Sequence, residues 1–129
     1  MKIEHIAIWV DDLEKMRDFY STYFGFNSSE KYTNEKKGFT SYFMSFGEGK
    51  PRLELMNRKD IHDEPGKRGY AKGMAHFAIS VDSKEAVNQL AERLRNDHFT
   101  IESEPRTTGD GYYESVVSDP EGNLVEITE

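Results

Sequence analysis

The sequence predicts an α+β fold made of two copies of one βαβββ unit, and three observations support this prediction. The segment IEHIAIWVDD at residues 3–12 returns as MAHFAISVDS at residues 74–83, which is 71 positions later. Each of these segments is followed by apolar residues at helical spacing. Each helical segment is followed in turn by three stretches that have the composition of β-strands.

The opening segment of each copy has the alternation of a half-buried strand. Its apolar positions are Ile6, Ile8 and Val10 in the first copy and Phe77, Ile79 and Val81 in the second. Because alternate residues of a strand share a face, these side chains are expected to pack under a helix. His5 and His76 then lie on the opposite face, away from the helix layer.

A helix is predicted directly after each opening strand. Asp11 with Glu14, and Asp82 with Glu85, have the three-residue spacing of a helix N-terminus. The apolar residues that follow recur at steps of three and four: Leu13, Met16, Phe19, Tyr20, Tyr23 and Phe24, then Ala86, Val87, Leu90, Ala91 and Leu94. Gly25 is the expected end of the first helix.

Three strands are predicted to complete each copy. They cover residues 28–35, 40–46 and 51–57 in the first copy, and 100–107, 112–118 and 123–128 in the second. The segments 41–46 and 112–117, which lie within two of these strands, are rich in aromatic and β-branched residues. Module one is therefore about 1–57 and module two about 74–129, with a polar linker loop at about 58–73. Since neither half has enough apolar residues to stand alone, 1–129 is expected to be a single domain.

Composition and charge exclude several classes of function. The net charge of −7 argues against nucleic acid or an anionic membrane surface as the main partner. The chain contains no cysteine, which excludes disulfides, thiolate metal sites and cysteine nucleophiles. No apolar run approaches the roughly 20 residues that span a bilayer, and the N-terminus has no signal-peptide core. These features predict a cytoplasmic protein.

One glutamate in each copy interrupts an apolar strand in the same way. Leu53 and Leu55 flank Glu54, and Val125 and Ile127 flank Glu126, which lies 72 positions later. Each carboxylate therefore faces the side opposite the core. A carboxylate in such surroundings is costly to desolvate unless it is paired or bound to a cation.

The two histidines and two glutamates together predict a metal site. A single histidine in a strand is usually a structural residue, and a single glutamate on an open sheet face is usually just solvated. Four such residues at repeat-equivalent positions supply the nitrogen and oxygen donors that a divalent ion takes. Zinc, nickel or cobalt are expected before iron or manganese. The set leaves coordination positions open for a substrate.

Several motifs give the whole chain a family resemblance. They are His5-x-Ala-Ile, Asp11-Asp12-Leu13 with Phe19-Tyr20 and Phe24-Gly25-Phe26, Leu53-Glu54-Leu55, GMAHFA at 73–78, and DPEGNLVEI at 119–127. In these motifs the sequence resembles the vicinal oxygen chelate superfamily, which includes glyoxalase I, methylmalonyl-CoA epimerase, extradiol dioxygenases and the bleomycin-resistance proteins.

The resemblance implies a fold, a ligand set and a reaction. It implies mixed sheets that curl into a cup-like half-barrel around one metal ion, with the helices outside and the modules of one cup drawn from one chain or from two. His5, Glu54, His76 and Glu126 match the ligands of glyoxalase I-like enzymes. Such a lactoylglutathione lyase-like lyase or isomerase abstracts a proton from a small carbonyl, 2-oxoaldehyde-derived substrate. Glu126 is then the base and Glu54 its partner.

Two alternatives stay open beside this reaction. One is a non-catalytic, resistance-type protein that binds a small molecule, although the bleomycin-binding members lack the metal set. The other is an extradiol dioxygenase-like oxidoreductase, whose usual ligand set of His, His and Glu has no place for Glu54. Metal content and activity distinguish the three.

Five residues are predicted to line the substrate pocket. They are Trp9, Met56, Arg58, Lys67 and Arg68. Glutathione-dependent glyoxalase I commonly has an arginine at the position of Trp9, and the family usually has an asparagine at that of Arg58. We therefore expect a small anionic carbonyl substrate other than the glutathione hemithioacetal, with Lys67 and Arg68 available to bind an anion. A homodimer is expected, because the open sheet face exposes apolar side chains.

Overall fold

The computed structural model describes residues 1–63 and 66–129, and its two compact units are Met1–Glu64 and Pro65–Glu129. The elements of the first unit are β1 (His5–Trp9), α1 (Leu13–Phe24), β2 (Asn27–Ser28), β3 (Tyr32–Asn34), a 3-10 turn (Glu35–Lys37), β4 (Phe39–Ser45) and β5 (Arg52–Arg58). Those of the second are β6 (Phe77–Ser80), α2 (Lys84–Asn96), β7 (Ile101–Thr107), β8 (Tyr113–Ser118) and β9 (Leu124–Thr128). Residues 64 and 65 of the predicted linker lie outside the described residues.

Each unit contains one open, mixed sheet and one helix, which confirms the predicted α+β class. In the first sheet the strand order is β1-β5-β4-β2, with β3 also paired to β4; in the second it is β6-β9-β8-β7. The opening strand of each unit runs parallel to the closing strand, and the remaining pairs are antiparallel. Ala7 lies beside Glu54 in one sheet and Ala78 lies beside Glu126 in the other. The two glutamates therefore occupy the same place in their sheets.

The core of each unit lies between its helix and its sheet. In the first unit Met16 and Tyr20 of α1 are fully buried, as is Leu55 of β5. In the second unit Leu94 of α2 and Ile127 of β9 are fully buried. The apolar residues at helical spacing thus form the buried faces of both helices. Neither helix in the described part of the chain is long and apolar enough to cross a membrane.

The helix N-termini lie one residue later than the sequence predicted. The side chain of Asp12, not Asp11, caps α1 by accepting a hydrogen bond from the Lys15 amide at 3.0 Å. Ser83, not Asp82, caps α2 in the same way. The N-cap is the residue whose side chain accepts a hydrogen bond from the amide three positions ahead. A short hydroxyl or carboxylate side chain at either of two neighbouring positions can meet this requirement. Gly25 ends α1 with φ of 69°, as expected.

The predicted strand at 28–35 is an edge strand with an interruption. β2 pairs Ser28 with Met44, whereas β3 pairs Tyr32 with Ser41, so three residues on the edge face two on β4. This extra residue is the mark of a β-bulge. Ser29 supports the bulge, because its hydroxyl oxygen accepts a hydrogen bond from the Phe43 amide at 3.0 Å.

Candidate metal centre

The first candidate ligand pair lies on the face of the first sheet that points away from α1. His5 begins β1, and Glu54 lies on the adjacent strand β5 between the buried Leu53 and Leu55. The Nε2 atom of His5 is 3.9 Å from Oε2 of Glu54. The glutamate side chain is 13% exposed and that of the histidine 40%, so the pair has one shielded and one accessible member.

The second candidate pair has the same construction in the second sheet. His76 comes immediately before β6, and Glu126 lies on β9 between the fully buried Val125 and Ile127. The Nε2 atom of His76 is 3.2 Å from Oε2 of Glu126. Here too the glutamate is the shielded member, at 15% exposure against 45% for the histidine.

The spacing and chemistry of both pairs fit two ligands of one divalent ion. Imidazole nitrogen and carboxylate oxygen bind such an ion at about 2.0–2.2 Å, which leaves neighbouring donor atoms about 3–4 Å apart. Within residues 1–63 and 66–129, no group of three or more histidine, aspartate and glutamate side chains is arranged to hold a metal ion. Each pair by itself therefore offers two candidate ligands.

The first pair is surrounded by charged and aromatic side chains. The Nδ1 atom of His5 is hydrogen-bonded to Oε2 of Glu4, and the other oxygen of Glu4 accepts from Arg52. The hydrogen bond with His5, followed by the contact with Arg52, holds the pKa of the Glu4 carboxyl below its usual value. The His5 ring meets the Phe43 ring edge-on at 5.5 Å.

The second pair lies beside another carboxylate, Glu114. Burial raises the pKa of Glu126, the nearby charge of Glu114 raises it further, and His76 opposes both effects. Arg106 approaches Glu114, with its Nη2 3.8 Å from Oε1. We did not single out Glu114 from the sequence. The buried Ser115 and Val117 alternate with it along β8, so the parity argument applied to Glu126 would have placed it on the same face.

Three of the predicted pocket residues lie together in the first unit. Trp9 is the neighbour of Met56 across the β1–β5 pair, on the face that carries Glu54. The Arg58 guanidinium lies over the Trp9 ring at 5.4 Å, and its Nε donates to Asp60 at 2.6 Å. Phe39, which the sequence analysis missed, meets Trp9 edge-on at 6.2 Å.

The other two predicted pocket residues belong to the second unit, where acidic and amide groups contact them. The Lys67 ammonium is 2.5 Å from Oε2 of Glu102 on β7. Arg68 donates to the Asn123 side-chain oxygen at 3.2 Å and lies 3.9 Å from the Glu121 carboxylate. The cations of this part of the linker thus already have partners on their own unit.

The fold and the two His–Glu pairs are those expected from the family resemblance, and sequence comparison agrees with it. The family model of the Glyoxalase/Bleomycin resistance protein/Dioxygenase superfamily matches residues 2–127. The chain belongs to this superfamily, so the predicted family resemblance is confirmed.

Three relatives illustrate the range of the family. The chain is 26% identical over 128 residues to the uncharacterized protein YqjT of Bacillus subtilis, covering 97% of this chain and 96% of that one. It is 30% identical over 112 residues to the mitochondrial methylmalonyl-CoA epimerase of Bos taurus, covering 84% of this chain and 61% of the epimerase. The crystal structure of glyoxalase I from Zea mays superposes with a TM-score of 0.80 at 25% identity, over 98% of this chain and 44% of the maize chain.

Proposed function

We propose that this protein is a metal-dependent lyase or isomerase of the glyoxalase I type, which removes a proton next to the carbonyl of a small substrate. One observation carries the proposal: the same His–Glu pair occurs at the same register position in both sheets. The two pairs, His5 with Glu54 and His76 with Glu126, would together hold one divalent ion. Zinc, nickel and cobalt suit these nitrogen and oxygen donors.

In this proposal the two glutamates act as a base and its partner. A bound divalent ion supplies stabilisation for the negative charge that develops on the substrate oxygen as an enediolate forms. Glu126 would take the proton, because burial raises the pKa of its carboxyl and makes the carboxylate a stronger base. Glu54 has a similar shielded position in the other sheet and would be its acid–base partner.

The side chains beyond Glu54 favour a substrate with an apolar or planar part. Met56 and Arg58 follow Glu54 at alternate positions of β5, so a molecule held at Glu54 can extend along the sheet over Met56 towards Trp9. Trp9 and Phe39 provide apolar ring surface there, and Arg58 provides a cation for an anionic end. Lys67 and Arg68 remain candidates for binding an anion in the second unit, which would have to displace their present partners.

The proposal is tested by proton exchange in deuterated water. The metal-reconstituted protein is incubated with small carbonyl compounds, and NMR follows the loss of the proton beside the carbonyl. We expect exchange or isomerisation that falls by at least about 100-fold in Glu126→Gln. Metal analysis of each sample separates loss of the ion from loss of the base. Metal-loaded protein that binds the compounds without exchanging their protons would support the binding-protein alternative instead.

Mutation of one histidine tests the ligand assignment directly. His76→Ala is expected to remove most of the bound metal and leave the protein folded, because the His76 side chain is 45% exposed and lies off the core. His62→Ala removes an exposed histidine that belongs to neither pair and is the matched control. Stoichiometric metal in the His76→Ala protein would exclude His76 as a ligand.

Epimerisation is a second candidate, favoured by the identity of 30% to the bovine methylmalonyl-CoA epimerase. The chemistry shares the first step, since an epimerase also removes a proton next to a carbonyl and then returns it to the opposite face. Glu126 and Glu54 would act from the two sides of the carbon. Circular dichroism of a chiral 2-substituted thioester distinguishes the two reactions, because only an epimerase racemises it without changing its connectivity.

A further inference from the structure

The two candidate ligand pairs are alike, but the side chains behind them differ. The repeat-equivalent positions to Glu4 and Arg52 of the first unit are Ala75 and Leu124 of the second. Neither alanine nor leucine has a side-chain group that can hydrogen-bond to an imidazole. The charged support that Glu4 and Arg52 give to the first histidine is therefore not provided by the equivalent residues beside the second.

The residues that support His5 belong to the first unit and also contact one another. Glu4 bonds to His5 through one carboxylate oxygen and to Arg52 through the other. The Arg52 amide also donates to the Glu4 carbonyl at 3.0 Å, which fixes the two backbones together. The Arg52 guanidinium lies 3.9 Å from the centre of the Phe43 ring, and that ring contacts His5 from the side.

This arrangement selects one form of the His5 ring. A neutral imidazole carries its proton on one nitrogen and offers the other as a lone pair. Glu4 is ionised and can only accept, so the proton of neutral His5 belongs on Nδ1. The lone pair is then on Nε2, the atom that faces Glu54 at 3.9 Å.

We propose that Glu4, held by Arg52, is a positioning residue that fixes the tautomer and orientation of His5 for metal binding. The inference rests on the proposed function in that it assigns His5 as a ligand. A carboxylate behind a ligating histidine raises metal affinity by about 10- to 100-fold in other proteins. His5 is 40% exposed, so packing restrains its ring less than it would restrain a buried side chain.

The first test reads the tautomer in the metal-free protein. Two- and three-bond nitrogen–proton NMR correlations assign the ring proton of each histidine at a pH where the rings are neutral. Wild-type His5 is expected to carry it on Nδ1. In Glu4→Ala we expect a shift towards the Nε2–H form at His5 and an unchanged spectrum at His76. An unchanged His5 tautomer in Glu4→Ala would overturn the inference, whether or not the protein binds metal.

The second test measures Co²⁺ affinity by titration of its visible absorption. Glu4→Ala is expected to weaken binding by about 10- to 100-fold, and Glu4→Gln, which keeps an oxygen that can accept from Nδ1–H, by less. Arg52→Met should weaken binding as well, because it frees Glu4. Equal affinity in wild type and Glu4→Ala would overturn the inference, while failure of wild type itself to bind Co²⁺ would overturn the proposed function and leave the tautomer experiment to decide.

Glu48→Ala is the matched control for both tests. Glu48 is an exposed glutamate that lines the same surface groove as Glu4 and Arg52. Its removal changes the net charge equally without removing the carboxylate behind His5. We expect wild-type tautomer and affinity in this variant. A loss as large as that in Glu4→Ala would assign the effect to surface charge and overturn the inference.

Discussion

At the scale of single residues, Trp9 is the side chain that bears most directly on substrate choice. Its ring contacts Phe39 edge-on, and the Arg58 guanidinium that lies over it already donates to Asp60. A substrate carboxylate placed against the Trp9 ring would meet an apolar surface and could pair with Arg58 only by displacing Asp60. A carboxylate that is left unpaired against an apolar ring loses a few kcal/mol of binding free energy, which corresponds to at least about a hundredfold in affinity.

We therefore expect poor turnover of methylglyoxal with glutathione. The measurement is a direct assay with protein whose metal content has been verified. The expected kcat/KM lies below about 10⁴ M⁻¹s⁻¹, the lower end of the usual enzyme range. A value at or above that level would show that Trp9 does not exclude the glutathione adduct.

Gly69 is a second residue with a specific structural requirement. Its φ of +82° is left-handed, and an added Cβ would lie 2.6 Å from both the Ala75 carbonyl oxygen and Cδ1 of Leu124. Ala75 precedes His76, and Leu124 lies on the same strand as Glu126. The absence of a side chain at Gly69 thus allows the chain to pack closely beside the second ligand pair.

Gly69→Ala is expected to lower the free energy of unfolding and to weaken metal binding. Crowding of a packed site costs about 1–3 kcal/mol, in addition to the cost of the left-handed backbone. Gly111→Ala is the control, because Gly111 has φ of +96° with nothing within 4 Å of the added Cβ. Denaturant unfolding should rank Gly69→Ala below Gly111→Ala by at least about 1 kcal/mol. Equal values for the two variants would mean that the close contact has no cost.

At the scale of elements, the segment after residue 65 is attached to the second sheet by an ion pair. Glu102 accepts hydrogen bonds from Lys67 and from the Ser118 hydroxyl, and these bonds hold the pKa of Glu102 below its usual value. A lowered pKa means that the stabilisation is complete above the unfolded pKa of about 4.3 and is lost as the pH falls through the folded value.

Lys67→Met is accordingly expected to cost stability at neutral pH and less in acid. The difference from wild type should be small, because the lysine is exposed and solvent screens the pair. It should shrink as the pH falls below about 4. Denaturant unfolding at several pH values measures it, with Lys72→Met, another exposed lysine of the segment, as control. A difference that grows in acid would contradict the assigned sign.

The limits of sequence reasoning are also clearest at this scale. Alternation within one strand is local, and it correctly placed His5 and Glu54 on the face away from the helix. The Glu4–Arg52 contact instead depends on the register between β1 and β5, which neither strand specifies by itself. The predicted helix caps lie one residue before the observed ones, because neighbouring residues also have side chains that can cap a helix. The bulge at Ser29 depends on pairing with β4. The local sequence pattern does not indicate that pairing.

At the scale of the whole molecule, we expect a homodimer. Large apolar side chains remain exposed in the described chain, including Tyr32, Phe46 and Tyr112. Exposed apolar surface of this kind commonly marks an interface between copies. Light scattering at micromolar concentration should give twice the chain mass of 14.9 kDa. A single species at the chain mass itself would contradict the prediction.

The pairing of opening and closing strands has a consequence for how such a chain can evolve. α2 is one residue longer than α1, yet Glu54 and Glu126 keep the same neighbours, Ala7 and Ala78. This difference in helix length therefore leaves the register of the two glutamates unchanged. After duplication of an ancestral gene segment, mutation could change the surroundings of one histidine while selection preserved both. The descendants then inherit the same His–Glu pair in two settings, and mutation can change each setting separately.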